Sequence, residues 1–357
     1  MFPEEFVAKQ LLAYSRRGDT VFDPFCGRGT TVFESLLQGR PSAGTDTNPV
    51  AACVAGAKAA PPTLRSVFAR LAYLEQLSAE EKPPASPTPD GFFASCFHST
   101  TLAQLLFLRH QLNWRASHVD KFIAAVTLGC LHGESHKSAN YLSNRMPRTI
   151  STKPDYSVRW WAANGSLPPE RDVFEVLRRL SHFRLSEADL ELRGSVKMRD
   201  ARKAGEAFPT LRRKVKLIVT SPPYLDTTDY REDQWLRLWF LGGPPRPTRV
   251  PASDDRHTTT VKYWKFLVDA WAGCAALLAS KSVVVVRMGG TRLSKEQLFE
   301  GLTESLKSGL AEFHIHPLHK GTTTEICNRQ TNSFRPGTKS KRFEHDFAFE
   351  VVRTQGD

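Results

Sequence analysis

Apolar residues recur along the chain with two different periods, and their alternation predicts an order of helices and strands. Helical spacing of apolar residues marks 3–17 and 30–39. Short apolar runs within DTVFDPF (19–25) and SAGTDTNP (42–49) indicate strands that each deliver an acid at their end. This strand–helix–strand–helix order is typical of the first half of a doubly wound α/β sheet.

The middle of the chain changes to a mostly helical pattern. Residues 61–192 include long apolar runs at helical spacing, such as 100–114 and 119–133. We therefore expect 61–192 to form a mainly helical insertion. The segments 1–60 and 193–357 on either side of it are expected to build one domain.

Strand signals return after the insertion. They lie in GSVKMRDAR (194–202), VKLIVT (215–220) and KSVVVVRMGG (281–290), and in FHIHPLH (313–319) and HDFAFEVVR (345–353). The last two fit a terminal antiparallel hairpin. The predicted fold class is therefore α/β: a Rossmann-like sheet with helices on both faces and a terminal hairpin.

Composition narrows the class of protein. Hydrophobic residues make up 40% and charged residues 24% of the 357 residues, as in ordinary soluble proteins. No apolar run approaches the roughly 18–20 residues that a membrane helix needs, and the N-terminus shows no secretory signal. We expect a cytoplasmic protein without a membrane partner.

Charge points to a polyanionic partner. Lys plus Arg number 49 against 37 acids, a formal net charge of +12, and nucleic acid is the commonest partner of such a protein. The six cysteines form no C-x-x-C pair and are expected to be reduced thiols. His314, His316 and His319 lack an accompanying cysteine or carboxylate set, so no metal site is predicted.

The segment DPFCGRGTT combines an acid at a strand end, a glycine turn and a helix start. Such a turn lets a backbone approach a ligand, and it fits NAD enzymes, nucleotide binders and methyltransferases alike. No glycine occupies position 32, which argues against the dinucleotide pattern. Asp46 suits the hydroxyls of a ribose or the N-cap of a helix. Asp200 could accept from an adenine amino group or serve as a loop or cap carboxylate.

The segment TSPPY, which ends at Tyr224, follows an apolar strand. Proline donates no backbone hydrogen bond and fixes φ, so two of them end a strand and stiffen the corner after it. Open α/β sheets bind ligands at the carboxyl ends of their strands. The corner is therefore either a reaction site or a surface turn.

Taken in order, DPFCGRGTT, the acids after the second and third strands and TSPPY resemble the amino-methyltransferases of DNA. These enzymes transfer a methyl group from S-adenosylmethionine to the exocyclic nitrogen of cytosine or adenine. The resemblance covers 2–60 and 194–353 and implies a catalytic methyltransferase domain. Implied to bind the cofactor are Phe2, Pro3, Glu4, Asp23, Pro24, Phe25, Gly27, Gly29, Thr30, Asp46, Asp200 and Ala201. Implied to be catalytic are Ser221, Pro222, Pro223 and Tyr224.

The chemistry of amino methylation gives the TSPPY corner a physical purpose. An exocyclic amino nitrogen is a poor nucleophile because its lone pair is delocalised into the ring. Acceptors at Ser221 Oγ and the Pro222 carbonyl would localise that lone pair, and Tyr224 would stack on the extruded base. In the family, serine in the first position usually marks cytosine N4, although the same corner serves adenine in some members. The resemblance also places Tyr230 near the target base.

Basic residues interleaved with aromatics occupy 137–161. We expect Lys137, Arg145, Arg148, Lys153 and Arg159 to contact double-stranded DNA. A structural helical cap with a solvated face is the alternative. The helical insertion is thus the candidate target-recognition region.

Other readings stay open. Attack on a ring carbon would need a cysteine nucleophile. The carbon-5 cytosine methyltransferases that this would resemble carry theirs after a proline, and none of the six cysteines here follows one, so Cys26 is expected to pack. RNA amino-methyltransferases share a similar corner but usually carry an N-terminal RNA-binding domain, for which we expect no room here. A nucleic-acid-binding protein that has lost activity is the non-enzyme alternative. The resemblance implies a bacterial protein, with or without a cognate restriction endonuclease.

Overall fold

Seven strands form one mixed sheet in the computed structural model, in the order β3-β2-β1-β4-β5-β7-β6. The structure describes 3–81, 91–146, 153–186, 190–225, 234–248, 259–289, 292–326 and 342–354. The strands are β1 (Thr20–Asp23), β2 (Ser42–Asp46), β3 (Ser195–Met198), β4 (Val215–Thr220), β5 (Leu278–Gly289), β6 (Phe313–Ile326) and β7 (Arg342–Arg353). Strands β1 to β5 pair in parallel, and β7 lies antiparallel between β5 and β6. The predicted Rossmann-like sheet and its terminal antiparallel hairpin are confirmed.

Thirteen helices accompany the strands in the described residues. They are α1 (Glu4–Tyr14), α2 (Thr30–Leu37), α3 (Pro49–Ala59), α4 (Leu64–Glu80), α5 (Phe92–Cys96), α6 (Ser99–Gln111), α7 (His118–Cys130), α8 (Pro154–Ala163), α9 (Val173–Leu185), α10 (Ala204–Ala207), α11 (Trp235–Phe240), α12 (Thr260–Ala275) and α13 (Lys295–Gly309). None of the described helices is long and apolar enough to cross a membrane.

The chain divides into two compact units. The first, called the sheet unit, comprises Met1–Ala59, Leu190–Thr228 and Pro251–Asp357. The second, called the helical unit, comprises Ala60–Asp189 and Asp229–Val250. The domain prediction from sequence differs here, because it includes 229–250 in the sheet domain.

Successive residues of a strand point to opposite faces of the sheet, so the apolar strands present apolar side chains on both faces. Helices cover both of these faces. On one face Phe22, Ile218 and Val284 join a core with residues of α12 and α13. On the other face Val21 and Leu217 pack against the apolar stripe of α1. This burial on both sides explains why β4 reads as a continuous apolar run rather than as an alternating one.

Strand order reverses between β1 and β4. The chain moves outward from β1 to β2 and β3, and then returns to place β4 on the opposite side of β1. Phe22 pairs with Ile218, so the two strands run in register toward Asp23 and Thr220. The carboxyl ends of β1 and β4 therefore flank a topological switch point, where open α/β sheets bind ligands.

Aromatic side chains fill the core of the helical unit. Phe93 lies 4.6 Å from Trp239 between ring centroids, and Phe92 lies 5.1 Å from Trp235 and 5.8 Å from Trp161. The short helix α11 supplies two of these rings, which is why it groups with this unit.

Candidate active site

Asp23 links the ends of β1 and β4. Its buried Oδ1 accepts hydrogen bonds from the Thr220 hydroxyl at 2.6 Å and from the Phe25 N–H at 3.0 Å. Burial raises the pKa of Asp23 from 3.8 to about 7, against the opposing effect of these hydrogen bonds, and the nearby Asp46 carboxylate adds to the rise. The fold thus joins the glycine turn directly to the strand that leads into TSPPY.

Two glycines of the turn adopt left-handed conformations for different reasons. Gly29 has φ 79°, and a Cβ there would lie 2.8 Å from the Cβ of Ala55. Gly27 has φ 50°, and a Cβ there would meet nothing within 4 Å among the described residues. Gly29 therefore permits close packing of α2 on α3, whereas Gly27 leaves its backbone open to a ligand.

Asp46 organises the glycine turn. Its Oδ2 accepts from the Gly27 N–H at 2.9 Å, and its Oδ1 accepts from the Asn48 N–H at 2.8 Å. The N-terminal hydrogen bond of α3 is made instead by Asn48, whose Oδ1 accepts from the Val50 N–H at 2.9 Å. Burial raises the pKa of the Asp46 carboxyl, and its hydrogen bonds from backbone N–H groups oppose that rise.

Asp200 caps a short 3-10 helix, Ala201–Lys203, whose first residue is buried. The Asp200 carboxylate accepts from the Arg202 N–H at 3.0 Å and pairs with the Arg202 guanidinium at 2.8 Å. Of the two roles that the sequence leaves open, the structure shows the cap. Contact with an adenine amino group stays a prediction.

The other predicted cofactor residues surround the glycine turn or lie at helix starts. The Pro24 carbonyl accepts from the Thr45 hydroxyl at 2.8 Å, and the Phe25 ring lies 5.6 Å from that of Phe266. Thr30 begins α2. Pro3 and Glu4 are exposed at the start of α1, and Phe2 lies outside the described residues.

These residues fit S-adenosylmethionine, which carries a cationic sulfur and a ribose with two hydroxyl donors. Each carboxylate offers about four acceptor positions, so Asp46 can accept from a ribose hydroxyl beside its backbone N–H partners Gly27, Thr47 and Asn48. The open space at Gly27 lets the backbone approach the ligand. The half-buried Asp46 carboxyl lies beside the turn, and in its ionised form it would favour a cation there.

At the TSPPY corner a chain of hydroxyls follows the end of β4. The Ser221 hydroxyl donates to Tyr224 Oη at 3.3 Å, and Tyr224 donates to Glu344 Oε1 at 3.1 Å. The Tyr224 ring lies against Gly289, where an added Cβ would come within 3.1 Å of its Cε2. Burial and the Glu344 carboxylate raise the pKa of the Tyr224 phenol, so it remains a donor at neutral pH. Base stacking on this ring stays a prediction.

A buried ionic cluster on β5 and β7 supports Glu344. Arg287 lies 3.5 Å from Glu344 Oε2 through its Nη1 and forms a two-pronged pair with Asp346 at 2.6 and 2.8 Å. Its guanidinium also lies 3.8 Å from the centroid of the Phe6 ring. Sequence reasoning missed these residues. The available signal was the presence of charged residues within otherwise apolar strands, which favours buried ion pairs.

Cys26 packs in an apolar cluster with residues of α2 and α3. It is buried, and burial raises the pKa of its thiol well above the usual range, with the Asp46 and Asp23 carboxylates adding to the rise. An apolar, protonated thiol packs rather than reacts. No group of three or more potential metal ligands occurs among the residues that the structure describes.

The predicted DNA-contacting residues fall in the helical unit. Lys137, Arg145, Lys153 and Arg159 are exposed there, whereas Arg148 and Tyr230 lie outside the described residues. The Arg145 guanidinium lies 5.6 Å from the centroid of the Trp160 ring and 3.5 Å from Glu134 Oε2. Trp161 is buried and donates to the Arg145 carbonyl at 2.9 Å, so it serves the packing of this region.

The sequence matches a known family at its N-terminal end. The family model described as DNA methylase, of the N6/N4 methyltransferase group, matches residues 1–55. This segment carries α1, β1, the glycine turn, α2 and β2. The orphan methyltransferase M.BamHII of Bacillus amyloliquefaciens is 44% identical over 46 residues, which span 13% of this chain and 17% of that protein. Both matches are short, since the family model covers 55 of the 357 residues and the second match covers 46.

Two solved structures align with most of this chain at low similarity. The rRNA methyltransferase aviRa of Streptomyces viridochromogenes aligns over 99% of this chain and 85% of its own, with a TM-score of 0.36 and 12% identity. TrmN of Thermus thermophilus aligns over 98% of this chain and 49% of its own, with a TM-score of 0.34 and 12% identity.

Proposed function

We propose that this protein transfers a methyl group from S-adenosylmethionine to the exocyclic N4 amino group of cytosine in double-stranded DNA. The observation that carries the proposal is the hydrogen bond between Asp23 and Thr220 at 2.6 Å. It places the glycine turn and the TSPPY corner next to each other at the switch point of the sheet. The matches of residues 1–55 and of the M.BamHII segment support the reaction class.

The cofactor would be held by the glycine turn, with Gly27 offering its backbone and Asp46 its carboxylate. When bound, it supplies a methyl group on a positively charged sulfur. A cationic general base would be repelled there, and the side chains assigned to the cofactor and to the amino group include carboxyls and hydroxyls, such as Asp46 and Ser221. Positioning therefore does most of the catalysis.

The target amino group would be held by Ser221 Oγ and the Pro222 carbonyl. Both atoms are acceptors, and each would take one amino hydrogen, which draws the nitrogen toward a tetrahedral geometry with a localised lone pair. The two prolines fix φ and keep the carbonyl in place. The base must leave the duplex to reach this corner, as enzymes that modify bases generally require.

Double-stranded DNA as the substrate is supported by the net charge of +12 and by the family match. Cytosine rather than adenine is supported by the serine at the first position of SPPY. The exposed basic residues Lys137, Arg145, Lys153 and Arg159 are proposed to contact the phosphates of the duplex.

Nucleoside mass spectrometry tests the proposal. Unmethylated genomic DNA and total RNA would each be incubated with the protein and S-adenosylmethionine. N4-methylcytosine in the DNA sample is the expected product. N6-methyladenine would overturn the choice of base, product in RNA alone would overturn the choice of partner, and no product in either would overturn the activity.

A serine variant tests the site itself. Ser221→Ala should reduce product formation at least tenfold while S-adenosylmethionine still binds, because it removes one amino-group acceptor (about 1.4 kcal/mol corresponds to a factor of ten). Ser308→Ala, at an exposed serine of α13, is the matched control and should leave activity unchanged. Wild-type activity in Ser221→Ala would show that the corner is not the reaction site.

A further inference from the structure

The hydroxyl chain at the TSPPY corner has a direction. Ser221 Oγ lies 3.3 Å from Tyr224 Oη, which lies 3.1 Å from Glu344 Oε1. An ionised carboxylate can only accept, so the phenol proton points to Glu344. The phenol oxygen then accepts, and the Ser221 proton points to Tyr224. What Ser221 presents to a base is its lone pairs.

Glu344 is itself held firmly. It is buried, pairs across the sheet with Gly289, and has the Arg287 guanidinium 3.5 Å from its other oxygen. Arginine remains charged under all ordinary conditions, so the carboxylate has a permanent counter-charge. Arg287 is in turn fixed by Asp346 at 2.6 and 2.8 Å and by the Phe6 ring. The chain from Asp346 to Ser221 is therefore anchored in the strands of the sheet.

The packing of Tyr224 also depends on β5. Gly289 faces the ring, and any side chain at that position would come within 3.1 Å of Tyr224 Cε2. A glycine here lets the ring approach the strand closely enough for its hydroxyl to reach Glu344. The geometry thus combines a glycine on β5 with a carboxylate on β7.

We infer that Glu344, through Tyr224, is a positioning residue that fixes the Ser221 hydroxyl as a hydrogen-bond acceptor. A fixed acceptor suits an amino group, which offers hydrogens, and opposes a ring carbonyl, which offers only lone pairs. A freely rotating hydroxyl could accept a hydrogen bond from an amino group or donate one to a carbonyl. The hydrogen-bonded chain Ser221–Tyr224–Glu344, called the relay below, thereby favours a base that carries an exocyclic amino group over one that carries an oxygen at the same position. This inference rests on the proposed function. It adds to that function a residue, Glu344, that lies 123 positions after Ser221 in the chain (344 minus 221).

Two variants interrupt the relay at different points. Tyr224→Phe removes the bridging hydroxyl while it keeps the ring against Gly289. Glu344→Gln removes the charge and lets the amide donate as well as accept, so the direction is lost. Glu350→Gln is the matched control, because Glu350 lies on the same strand and is also ion-paired, with Lys281 at 2.6 Å.

The measurement is kcat for methyl transfer to DNA at saturating S-adenosylmethionine, together with the KM of both substrates, the cofactor Kd by calorimetry and Tm. We expect Tyr224→Phe and Glu344→Gln each to reduce kcat by about tenfold, the effect of one lost hydrogen bond. The KM values and the cofactor Kd should stay within twofold of wild type. Glu350→Gln should leave every quantity unchanged.

A double variant separates the relay from simple structural support. If Glu344 acts through Tyr224, Glu344→Gln should have no further effect on kcat in the Tyr224→Phe background. Equal losses in the wild-type and Tyr224→Phe backgrounds would overturn the relay, as would wild-type kcat in Glu344→Gln alone. A loss that appears only as lower Tm or weaker cofactor binding would likewise overturn it.

Failure of the relay and failure of the proposed function give different results. A wild-type protein that methylates no nucleoside contradicts the function, whatever the variants do. A wild-type protein that methylates DNA, with Glu344→Gln at full kcat, leaves the function intact and removes Glu344 from it.

Discussion

At the scale of single residues, the buried Asp23 carboxyl couples stability to pH. Its pKa rises from 3.8 to about 7 in the folded protein, chiefly through burial. The folded state therefore holds a proton that the unfolded state releases, so the Asp23 contribution to stability is full below about pH 4. This contribution to stability, roughly 4 kcal/mol for a pKa shift of about three units, is lost as the pH rises from 4 through 7.

Asp23→Asn keeps the shape and an acceptor oxygen but cannot ionise. We expect its free energy of unfolding, relative to wild type, to rise progressively from pH 4 to pH 8. Urea denaturation at several pH values measures this difference. Asp155→Asn, at an exposed aspartate, should show no such trend. Parallel pH profiles for wild type and Asp23→Asn would contradict the burial of a proton-binding Asp23.

The two glycines of the turn should respond differently to alanine. Gly29→Ala adds a Cβ 2.8 Å from the Cβ of Ala55 at φ 79°, so we expect a loss of about 2–4 kcal/mol in stability. Gly27→Ala at φ 50° meets nothing within 4 Å among the described residues and should cost only about 1–2 kcal/mol. Calorimetry should instead show weaker S-adenosylmethionine binding in Gly27→Ala. Equal stability losses, with cofactor binding unchanged in Gly27→Ala, would refute this division of roles.

At the scale of elements, one buried arginine caps the C-terminal ends of two helices, α1 and α2. The Arg40 guanidinium donates to the Leu11 and Ser15 carbonyls at the end of α1, at 3.2 and 3.0 Å. It also donates to the Gln38 carbonyl at the end of α2, at 2.9 Å. Each helix end leaves carbonyls without intrahelical partners, and the fork of a single arginine satisfies both ends.

Arg40→Lys keeps the charge but not the fork. A lysine ammonium reaches one helix end at a time, so we expect a loss of about 2 kcal/mol in the free energy of unfolding, measured by urea denaturation. Arg17→Lys is the control, because its pair with Glu191 at 3.3 Å is largely exposed and should contribute little. Similar losses in the two variants would show that the fork of Arg40 is not what stabilises the helix ends.

The sequence predicted the elements well where a local pattern decides them. Short runs bounded by acids, glycines or prolines predicted the seven strands of the described sheet and the antiparallel hairpin, and in β4 the apolar run reflects burial on both faces of the sheet. Asp46 and Asp200 shared one local pattern and allowed two roles each. Only the structure separated them, since Asn48 makes the helix cap in one case and Asp200 makes it in the other.

The ionic cluster behind Tyr224 could not be predicted in the same way. Arg287 and Asp346 pair through the register of β5 with β7, across 59 positions of sequence. Which of several charges meet depends on strand order and register, and these arise from packing of the whole sheet. The sequence could mark Arg287 as unusual within an apolar strand, but it could not name its partner.

At the scale of the whole molecule, the chain leaves its sheet twice to build the helical unit. The large excursion, Ala60–Asp189, was visible as a change of period. The small one, Asp229–Val250, follows the TSPPY corner and supplies Trp235 and Trp239 to the aromatic core of that unit. Its apolar run, WLRLWFL, marks a buried helix, but nothing in the run itself reveals which of the two cores it joins.

The net charge of +12 predicts how the protein should bind DNA as a whole. Each phosphate that a basic residue neutralises releases a counterion, so log Kd should rise with log salt at about 0.9 per contact. Fluorescence anisotropy with a labelled duplex, between 50 and 200 mM salt (about a fourfold range), measures this slope. A flat dependence would remove the electrostatic argument for a polyanionic partner.

Two sets of substitutions, equal in charge, locate the phosphate contacts. In one set the exposed residues Lys137, Arg145, Lys153 and Arg159 of the helical unit are changed to Gln. In the control set the exposed residues Lys9, Lys216, Lys265 and Lys307 of the sheet unit are changed to Gln. Both lower the net charge by the same amount, so a general charge effect would weaken binding equally.

We expect the salt slope to fall by up to about 0.9 for each contacting residue in the first set, and to change little in the second. Equal slopes in the two sets would mean that the helical unit has no special part in binding DNA, and a larger change in the control set would move the phosphate contacts to the sheet unit.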